Sequence, residues 1–337
     1  MNKEGDKMKR IAINGFGRVG RIVFKELLDA GLEVVAINDL CDNAQLAYLL
    51  KYDSVHGRYD RKVDFDDKNL IVGNKKIQVL SEADAKNLPW GQLKIDLVVE
   101  CTGFYTNLDN ALDHVRAGAK HVIISAPGKG DMKTIVYGVN DKILDGKELV
   151  FSSSSCTTNC LAPLLKVIDD NYTIKEGFIS TIHAYTNDQK ILDVSHKKAY
   201  TERRGRASAI NIIPTTTGAA SSIGNVLPSL KGKLKGNAFR VPVSDGSLID
   251  ATITIEEKTT IDKINELYKK NENEVLNITF DPIVSSDIIG ESCATLIDGS
   301  LTDVIENQIK IVAWYDNEFG YSMQMVRTIK KFLELTD

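Results

Sequence analysis

The chain has 337 residues, of which 43% are hydrophobic and 26% charged, and its formal net charge is −4. This length suits two domains of ordinary size, and the balance is that of a folded globular protein. Because the net charge is slightly negative, neither nucleic acid nor an anionic membrane is expected as the primary partner. No apolar run approaches the roughly 20 residues of a membrane-spanning helix, and the start of the chain lacks a signal peptide's apolar core. A cytoplasmic protein is therefore expected.

The first half of the chain alternates strand-like and helix-like segments, from KRIAIN at 9–14 to HVIISAP at 121–127. This order predicts an α/β fold with a Rossmann-type doubly wound parallel sheet. Apolar residues at helical spacing predict a helix over about 20–30, and Gly31 stands where a left-handed cap would end it. Residues 1–155 are therefore expected to form a nucleotide-binding domain.

The second half has longer β-rich runs, such as FISTIHAYT and SLIDATITIEEK. These runs predict an α+β catalytic domain over 156–320 whose sheet is mainly antiparallel. The last segment, 321–337, has apolar residues at amphipathic helix spacing. It is expected to form a helix that packs back on the first domain.

Gly15, Gly17 and Gly20 form G-x-G-x-x-G between strand IAIN and the predicted helix. Such glycines allow a tight turn, close approach of a pyrophosphate, and close packing of helix on strand. Asp39 follows Gly20 by 19 residues (39 − 20), near the usual offset of a carboxylate that binds the adenosine ribose. A carboxylate there would repel a 2′-phosphate, which favours NAD over NADP. The alternative is a turn that binds nothing, with Asn38 and Asp39 as ordinary turn residues.

Cys156 lies after the polar turn SSSS and before an apolar helical pattern. A thiol at a helix start meets oriented N–H groups, so its pKa is expected to fall below about 8.5. His183 follows in strand-like TIHAY and is the candidate base, although a lone strand histidine is usually structural. Cys160 is expected to be a packing cysteine. The scattered cysteines indicate reduced thiols, and no metal site is expected.

A local excess of positive charge follows His183, in a chain whose overall charge is negative. It consists of Lys190, Lys197, Lys198, Arg203, Arg204 and Arg206, against Asp193 and Glu202. Arginine grips phosphate through two parallel hydrogen bonds, so this loop suits phosphate-bearing ligands. A solvated surface loop and a subunit contact are the alternatives.

Several segments, and the order in which they occur along the chain, resemble phosphorylating glyceraldehyde-3-phosphate dehydrogenase of the bacterial type. They are NGFGRVGR, CTTNCLAP, HAYTNDQ, IIPTTTGAA, FRVP and WYDNEFGY, and they run from residue 14 to 321. The resemblance implies reversible oxidation of D-glyceraldehyde 3-phosphate to 1,3-bisphosphoglycerate with NAD and inorganic phosphate. It makes Cys156 the nucleophile, through a hemithioacetal and a thioacyl intermediate, and His183 the base.

The resemblance also implies roles for residues around both sites. At the cofactor they are Gly15, Phe16, Gly17, Arg18, Val19, Gly20, Asn38, Asp39, Thr102, Gly103, Ser125, Asn317 and Tyr321. For the C3 phosphate they are Thr186, Asp188 and Arg240, and for inorganic phosphate Ser155, Thr157, Arg204, Thr217 and Gly218. The loop over about 186–210 would reach a neighbouring subunit's cofactor in a homotetramer.

Departures from the family pattern keep some alternatives open. Ser195 stands where strictly NAD-using bacterial members often carry proline, and serine occurs there in members that also accept NADP. Erythrose-4-phosphate dehydrogenase and a non-phosphorylating aldehyde dehydrogenase share the architecture, although the CTTN and TTTGAA segments favour a phosphate-using enzyme. An additional RNA-binding or surface role for the basic loop also stays open.

Overall fold

A computed structural model describes residues 8–195 and 201–336. The chain folds into two compact units. The first comprises Met1–Ile135, Asp141–Ser154 and Met325–Asp337, and the second Val136–Asn140 and Ser155–Gln324. Lys197 and Lys198 of the predicted basic loop, and Asp337 of the predicted last helix, lie outside the described residues.

Among the residues that the structure describes, the first unit has eleven strands and three complete α-helices. The helices are α1 Arg18–Asp29, α2 Asn43–Lys51 and α3 Leu108–Arg116. The strands are β1 Arg10–Asn14, β2 Glu33–Asn38, β3 Tyr52–Asp53, β4 Gly57–Arg58, β5 Val63–Phe65, β6 Asn69–Val72, β7 Lys75–Leu80, β8 Leu97–Glu100, β9 His121–Ile124, β10 Lys133–Thr134 and β11 Val150–Ser152.

A nine-stranded sheet forms the centre of this unit, in the order β10-β11-β9-β8-β1-β2-β7-β6-β5. Its pairs are parallel except β5 with β6 and β6 with β7. Strand β1 lies between β2 and β8, and the order reverses there, which is where doubly wound sheets bind ligands at the carboxyl ends of their strands. Strands β1, β8 and β9 are almost completely buried, as expected of a sheet covered on both faces.

Helix α1 begins two residues before the predicted start, because the glycine turn leads directly into it. Gly17 has an extended backbone and caps the helix, and Arg18 is its first residue. At the other end Gly31 has φ +77°, and Leu32 N–H donates to the Leu27 carbonyl at 2.9 Å. This pattern is a Schellman ending, as the position of Gly31 predicts.

The described part of the second unit has eight strands and three complete α-helices. The helices are α4 Cys156–Asp169, α5 Ala219–Ser222 and α6 Ile261–Lys270. The strands are β12 Ile174–Ala184, β13 Ile213–Thr216, β14 Leu234–Val241, β15 Ser247–Ile255, β16 Leu276–Thr279, β17 Thr295–Asp298, β18 Asp303–Ile305 and β19 Gln308–Tyr315.

The sheet of this unit has the order β13-β14-β12-β15-β19-β17-β16, and β18 pairs with β19. Only β12 with β14 and β16 with β17 are parallel pairs among the described strands, so the sheet is mainly antiparallel. Helix α4 belongs to the same apolar core as the inner residues of the sheet, and its Leu161 and Leu165 are fully buried. This packing fixes the start of α4, which carries Cys156.

The last helix, α7, spans Phe319–Leu335 and begins two residues before the predicted start. Its second half belongs to the first unit. There the ring of Phe332 lies 4.5 Å from that of Phe151 and 4.9 Å from that of His121. Across 8–195 and 201–336, no helix has the length and apolar character to cross a membrane.

Candidate active site

Cys156 is the first residue of α4, at the end of a tight turn from β11. Ser154 has φ +60°, a left-handed conformation that is uncommon outside glycine. Ser155 then caps the helix, and its Oγ accepts from Thr158 N–H at 3.1 Å. The first N–H groups of a helix have no partner within the helix, so the Cys156 thiol lies at its positive end.

The sheet of the second unit brings His183 to this thiol. His183 lies near the end of β12, and its Nε2 is 3.5 Å from Cys156 Sγ. The parallel register of β12 and β14 places Arg240 directly beside His183. The Ala184 carbonyl lies 2.7 Å from His183 Nδ1 and accepts from Arg240 Nη1 at 2.9 Å. Arg240 Nη1, which can only donate, also lies 2.5 Å from His183 Nδ1. Nδ1 thus contacts one acceptor and one donor, and Nε2 is the ring nitrogen that faces the thiol.

Burial dominates the electrostatics of this pair. It raises the pKa of the Cys156 thiol, and this effect exceeds the lowering by the Arg240 charge and the Thr157 hydrogen bonds. Burial, with the nearby Arg240 charge, also lowers the pKa of His183 to about 3. The prediction that the helix start lowers the pKa of Cys156 was wrong, because it neglected desolvation. Proton transfer from sulfur to Nε2 creates two opposite charges that stabilise each other, so the thiolate depends on His183.

Next to this pair lies a group of polar side chains that are predicted to bind phosphate. Asp188 accepts from Thr186 Oγ1 and, at 2.5 Å, from Arg204 Nη1. Arg204 Nε also donates to Thr215 Oγ1 at 3.0 Å. Burial raises the pKa of Asp188, but the Thr186 hydrogen bond and the charges of Arg204 and Arg240 lower it below its usual value overall. The cluster therefore offers two guanidinium groups to an anion, with one carboxylate between them and a hydroxyl.

Hydroxyl groups connect the start of α4 with the rest of the second unit. Thr157 Oγ1 lies 3.0 Å from Tyr315 Oη, which lies 3.0 Å from Thr181 Oγ1. Thr158 Oγ1 lies 3.3 Å from Ser222 Oγ in α5. Helix α5 directly follows Thr217 and Gly218, and Arg204 Nη2 reaches the carbonyl just before them, that of Thr216. The structure thus connects the residues predicted for inorganic phosphate through α4, α5 and β13; they are Ser155, Thr157, Thr217, Gly218 and Arg204. Tyr315, which also takes part, was not identified from the sequence.

The glycines of the predicted cofactor turn have three different environments. Gly15 has φ +90°, and a Cβ there would lie 2.8 Å from Thr102 N, so no side chain fits. A Cβ on Gly20 would lie 2.1 Å from the Gly15 carbonyl oxygen. At Gly17 a Cβ would have no described atom within 4 Å. These environments fit the three roles predicted from the motif, including open space in front of Gly17 for a pyrophosphate.

Asp39, directly after β2, is fixed by two backbone donors. Its Oδ2 accepts from Phe16 N–H at 2.7 Å and its Oδ1 from Cys41 N–H at 3.0 Å. The Phe16 ring is buried against Phe24. Arg18, predicted at the adenine side, forms an ion pair with Asp53 at 2.7 Å. Burial raises the pKa of Asp53, but hydrogen bonds from His56, Arg18 and Val55 lower it overall to about 2.

A pocket of about 600 Å³ opens beside Gly15, Gly17 and Asp39. Leu40 and Phe104 contribute to its lining, and 67% and 82% of their surfaces are exposed. Apolar side chains so exposed suit the faces of a planar ring. Neither residue was predicted from the sequence, although Leu40 directly follows Asp39 and Phe104 directly follows Gly103.

Thr102 and Asn38 belong to a hydrogen-bonded network beneath this pocket. Glu100 Oε1 accepts from Thr102 N–H at 2.7 Å and also from its hydroxyl. Glu100 Oε2 accepts from Asn14 Nδ2 at 2.6 Å, and Asn38 Nδ2 donates to Asn14 Oδ1 at 2.7 Å. His114 Nε2 lies 3.0 Å from the same Oε2. This network therefore links Asn14, Asn38 and Thr102, which all line the pocket, by hydrogen bonds.

The remaining predicted cofactor residues lie in both units. Val19 lies in α1, half-buried, and Ser125 follows β9, where its N–H donates to the Glu100 carbonyl. Gly103 has φ +75°, and Tyr321 is buried in α7. Asn317 is 5% exposed, and its Nδ2 has no hydrogen-bond partner among the residues that the structure describes. A buried amide in this state suits an acceptor on a ligand.

Two carboxyl groups lie close together near Asn317. Asp245 and Asp316 are 2% and 1% exposed. Asp316 Oδ1 accepts from the N–H groups of Glu318 and Phe319, at 2.8 and 2.6 Å, and Oδ2 from that of Gly290 at 2.8 Å. Burial and the neighbouring Asp316 raise the pKa of Asp245 far above its usual range. The pair of carboxyl groups therefore holds a proton near neutrality.

Comparisons with known proteins agree with the described geometry. Models of the glyceraldehyde 3-phosphate dehydrogenase NAD binding domain and C-terminal domain match residues 9–108 and 155–317. The chain belongs to the glyceraldehyde-3-phosphate dehydrogenase family. The resemblance and the fold class predicted from the sequence are thus confirmed, and the first unit has the nicotinamide dinucleotide-binding domain of an oxidoreductase.

Curated members of the family match almost the whole chain. Glyceraldehyde-3-phosphate dehydrogenase of Clostridium pasteurianum is 50% identical over 333 residues, which cover 97% of this chain and 99% of the relative. The enzyme of Clostridium acetobutylicum is 49% identical with the same coverage. That of Borreliella burgdorferi is 48% identical over 337 residues, covering 96% of this chain and 100% of the relative.

Proposed function

We propose that the protein oxidises D-glyceraldehyde 3-phosphate to 1,3-bisphosphoglycerate, reversibly, with NAD and inorganic phosphate. The observation that carries this proposal is the 3.5 Å approach of Cys156 Sγ to His183 Nε2 beside Arg240. A buried thiol with a base at hydrogen-bonding distance is the arrangement of nucleophilic catalysis on a carbonyl. Family membership supplies the substrate class.

In the first step, Cys156 Sγ bonds to the aldehyde carbon as His183 Nε2 takes the thiol proton. His183 then passes this proton to the former carbonyl oxygen, which gives a hemithioacetal and leaves the imidazole neutral. The N–H groups at the start of α4 would stabilise the oxygen as it becomes negative. His183 then removes the hydroxyl proton, and the carbon loses a hydride to leave a thioester. NAD, when bound, supplies the acceptor for that hydride.

In the second step, a phosphate oxygen attacks the thioester carbon and the Cys156 sulfur leaves as a thiolate. The acyl group is then on phosphate, and the enzyme has its original thiol again once a proton returns. This step needs an anion site close to Cys156. The hydroxyls of Ser155 and Thr157 and the polar segment around Thr217 support such a site.

The C3 phosphate of the substrate is assigned to Thr186, Asp188 and Arg240. Arg204, which is assigned to inorganic phosphate, donates to Asp188 and adds positive charge beside this site. Arginine binds phosphate through parallel hydrogen bonds, and a cluster with net positive charge attracts a dianion. The carboxylate of Asp188 holds Arg204 and Thr186 in place for that contact.

The cofactor residues are assigned to NAD. The pyrophosphate would meet the backbone at Gly17 and the positive end of α1, and the ribose would meet Asp39. Leu40 and Phe104 are assigned to the adenine, and Asn317 to the carboxamide. Because both oxygens of Asp39 accept from backbone N–H groups, the carboxylate cannot easily turn away from a 2′-phosphate. This fixed charge supports NAD over NADP. The opposing observation is Ser195, because family members that also accept NADP have serine at this position.

The quaternary structure is proposed to be a homotetramer. Large apolar side chains are exposed within the predicted subunit-contact loop and directly after it, at Ile191, Leu192, Ile210 and Ile212. Monomeric proteins rarely expose such a set, which supports burial against another copy of the chain. Light scattering after size exclusion should give four times the chain mass, and a monomer would refute this part of the proposal.

The function is tested by following NADH formation from D-glyceraldehyde 3-phosphate with and without phosphate. Steady-state turnover should require added phosphate or arsenate, since only these anions release the acyl group from Cys156. Turnover that is independent of phosphate would favour a non-phosphorylating dehydrogenase. A higher kcat/KM for erythrose 4-phosphate would favour that substrate, and initial rates with NADP would test the cofactor.

A further inference from the structure

Asn317 is oriented by a second side chain, Ser247, through a hydrogen bond inside the second unit. Ser247 begins β15, and β15 pairs antiparallel with β19, so Ser247 lies directly opposite Tyr315. Two residues beyond Tyr315, the Asn317 side chain receives a hydrogen bond from Ser247 Oγ at 2.5 Å. Ser247 is completely buried and Asn317 almost so. The contact is therefore shielded from competing water.

The length of this contact decides which end of the amide faces Ser247. A distance of 2.5 Å is within the range of O–H···O bonds and below that of N–H···O bonds. The hydroxyl therefore donates to Oδ1, and the amide cannot turn its Nδ2 toward Ser247 without lengthening the contact. As a result Nδ2, which has no partner among the residues described, points away from Ser247 with its hydrogens available.

Ser247 itself is held from two sides. Its Oγ accepts from Ala184 N–H at 3.0 Å, which directs the hydroxyl hydrogen toward Asn317. The preceding Gly246 has φ +80°, and a Cβ there would lie 2.0 Å from the Ser285 carbonyl oxygen. The backbone at Gly246, one residue before Ser247, thus lies so close to Ser285 that only glycine fits there. Ala184 directly follows His183 in β12. Two consecutive hydrogen bonds, from Ala184 N–H to Ser247 and from Ser247 to Asn317, therefore connect β12 with Asn317.

We infer that Ser247 is a positioning residue for the nicotinamide: it fixes Asn317 with the amide N–H directed at the carbonyl oxygen of the carboxamide. This inference rests on the proposed function, which assigns Asn317 to that carboxamide. A fixed donor recognises the oxygen of the ring substituent and not its NH₂ group. It also spares the cofactor the entropic cost of ordering the amide on binding.

The test is binding of cofactor fragments to the full-length protein, measured by titration calorimetry. Ser247→Ala removes the hydroxyl, and the Kd for NAD should rise roughly 3- to 10-fold, the effect of losing one ordinary hydrogen bond. ADP-ribose lacks the nicotinamide, so its Kd should stay at the wild-type value. Ser322→Ala is the matched control, because Ser322 is equally buried and its hydroxyl donates to a backbone carbonyl, that of Glu318 just before α7.

Orientation is tested with 3-acetylpyridine adenine dinucleotide, which keeps the carbonyl oxygen and lacks the NH₂ group. In Ser247→Ala the freed amide can rotate and accept from the NH₂ group of NAD, but it gains nothing from the acetyl group. The acetylpyridine analogue should therefore lose more affinity than NAD. In the Asn317→Ala background, Ser247→Ala should have no further effect on either ligand, since the two residues act through one contact.

Three results would overturn the inference: an unchanged Kd for NAD in Ser247→Ala, a parallel loss of ADP-ribose affinity, or additive effects in the double variant. If the alanine variant does not fold, Ser247→Cys keeps the volume with a weaker donor and should show the same pattern at smaller size. Wild-type protein without phosphate-dependent NADH formation would instead refute the proposed function. The binding measurements involve no turnover, so the two failures are distinguishable.

Discussion

Replacing Asp245 by asparagine should make the protein more stable above pH 6 and leave it almost unchanged near pH 4. Asp245 is buried beside Asp316, whose carboxylate already accepts from three backbone N–H groups. Burial and this neighbour raise the pKa of Asp245 from 3.8 to about 9. The native protein must therefore keep a proton that the unfolded chain releases. Asparagine supplies an N–H donor for Asp316 without binding a proton.

The sign and size follow from the two pKa values. A carboxyl whose folded pKa is raised contributes its full stability below pH 3.8 and loses it progressively up to about pH 9. At pH 7 the interval is 7.0 − 3.8 = 3.2 pH units, which corresponds to about 4 kcal/mol at about 1.36 kcal/mol per unit. Relaxation around the pair reduces this limit, so we expect Asp245→Asn to raise the free energy of unfolding by about 2 to 4 kcal/mol at pH 7.

The assay is urea unfolding followed by tryptophan fluorescence at pH 5, 6, 7 and 8, at one protein concentration. The difference between Asp245→Asn and wild type should grow steadily with pH. Asp303→Asn, which changes an exposed carboxyl on β18, is the control and should give no trend. A constant difference between pH 5 and 8 would mean that Asp245 is ionised in the native protein, and the reasoning about the pair would be refuted.

Four further substitutions test the proposed site. Cys156→Ser should nearly abolish aldehyde oxidation while the Kd for NAD stays the same, because a hydroxyl is a far poorer nucleophile; wild-type-like turnover would refute the assignment of the nucleophile. His183→Asn should slow iodoacetamide alkylation of Cys156 at pH 7 at least tenfold, since burial keeps an unassisted thiol protonated; an unchanged pH profile of alkylation would show that the two residues are not coupled. Arg204→Gln should raise the KM for inorganic phosphate in steady-state NADH formation by roughly 10-fold or more, and an unchanged KM for phosphate would remove Arg204 from that site. Asp39→Ser should lower the ratio of kcat/KM for NAD to that for NADP by at least about 10-fold through loss of one repelling charge, and an unchanged ratio would assign selectivity elsewhere.

The sequence predicts those features that depend on neighbours close in the chain. The turn at Gly15 and the cap at Gly31 follow from local backbone geometry, and the structure has both. The position of Asp39 follows from the length of one strand–helix–strand unit. Each of these predictions needs only a short segment and the periodicities of helix and strand.

The remaining features depend on contacts between distant segments. The pairing of His183 with Arg240 requires the parallel register of β12 with β14, which no local pattern fixes. Ser247 and Asn317 are 70 residues apart in sequence. The pKa of Cys156 was mispredicted for the same reason, since the helix start is visible in the sequence and the burial of the thiol is not. The roles of the site residues therefore remain predictions that the proposed experiments address.

The division of the first unit among separate stretches of chain has a consequence for biosynthesis. A ribosome makes Met325–Asp337 after the whole second unit, yet these residues belong to the first unit. Until Phe332 emerges from the exit tunnel, the rings of Phe151 and His121 lack the partner that they have in the finished protein. The rings of Phe151 and His121 in the nascent first unit therefore remain without Phe332 while the whole second unit is synthesised. A premature stop between Gln324 and Phe332 would leave the second unit whole and the first unit without this ring.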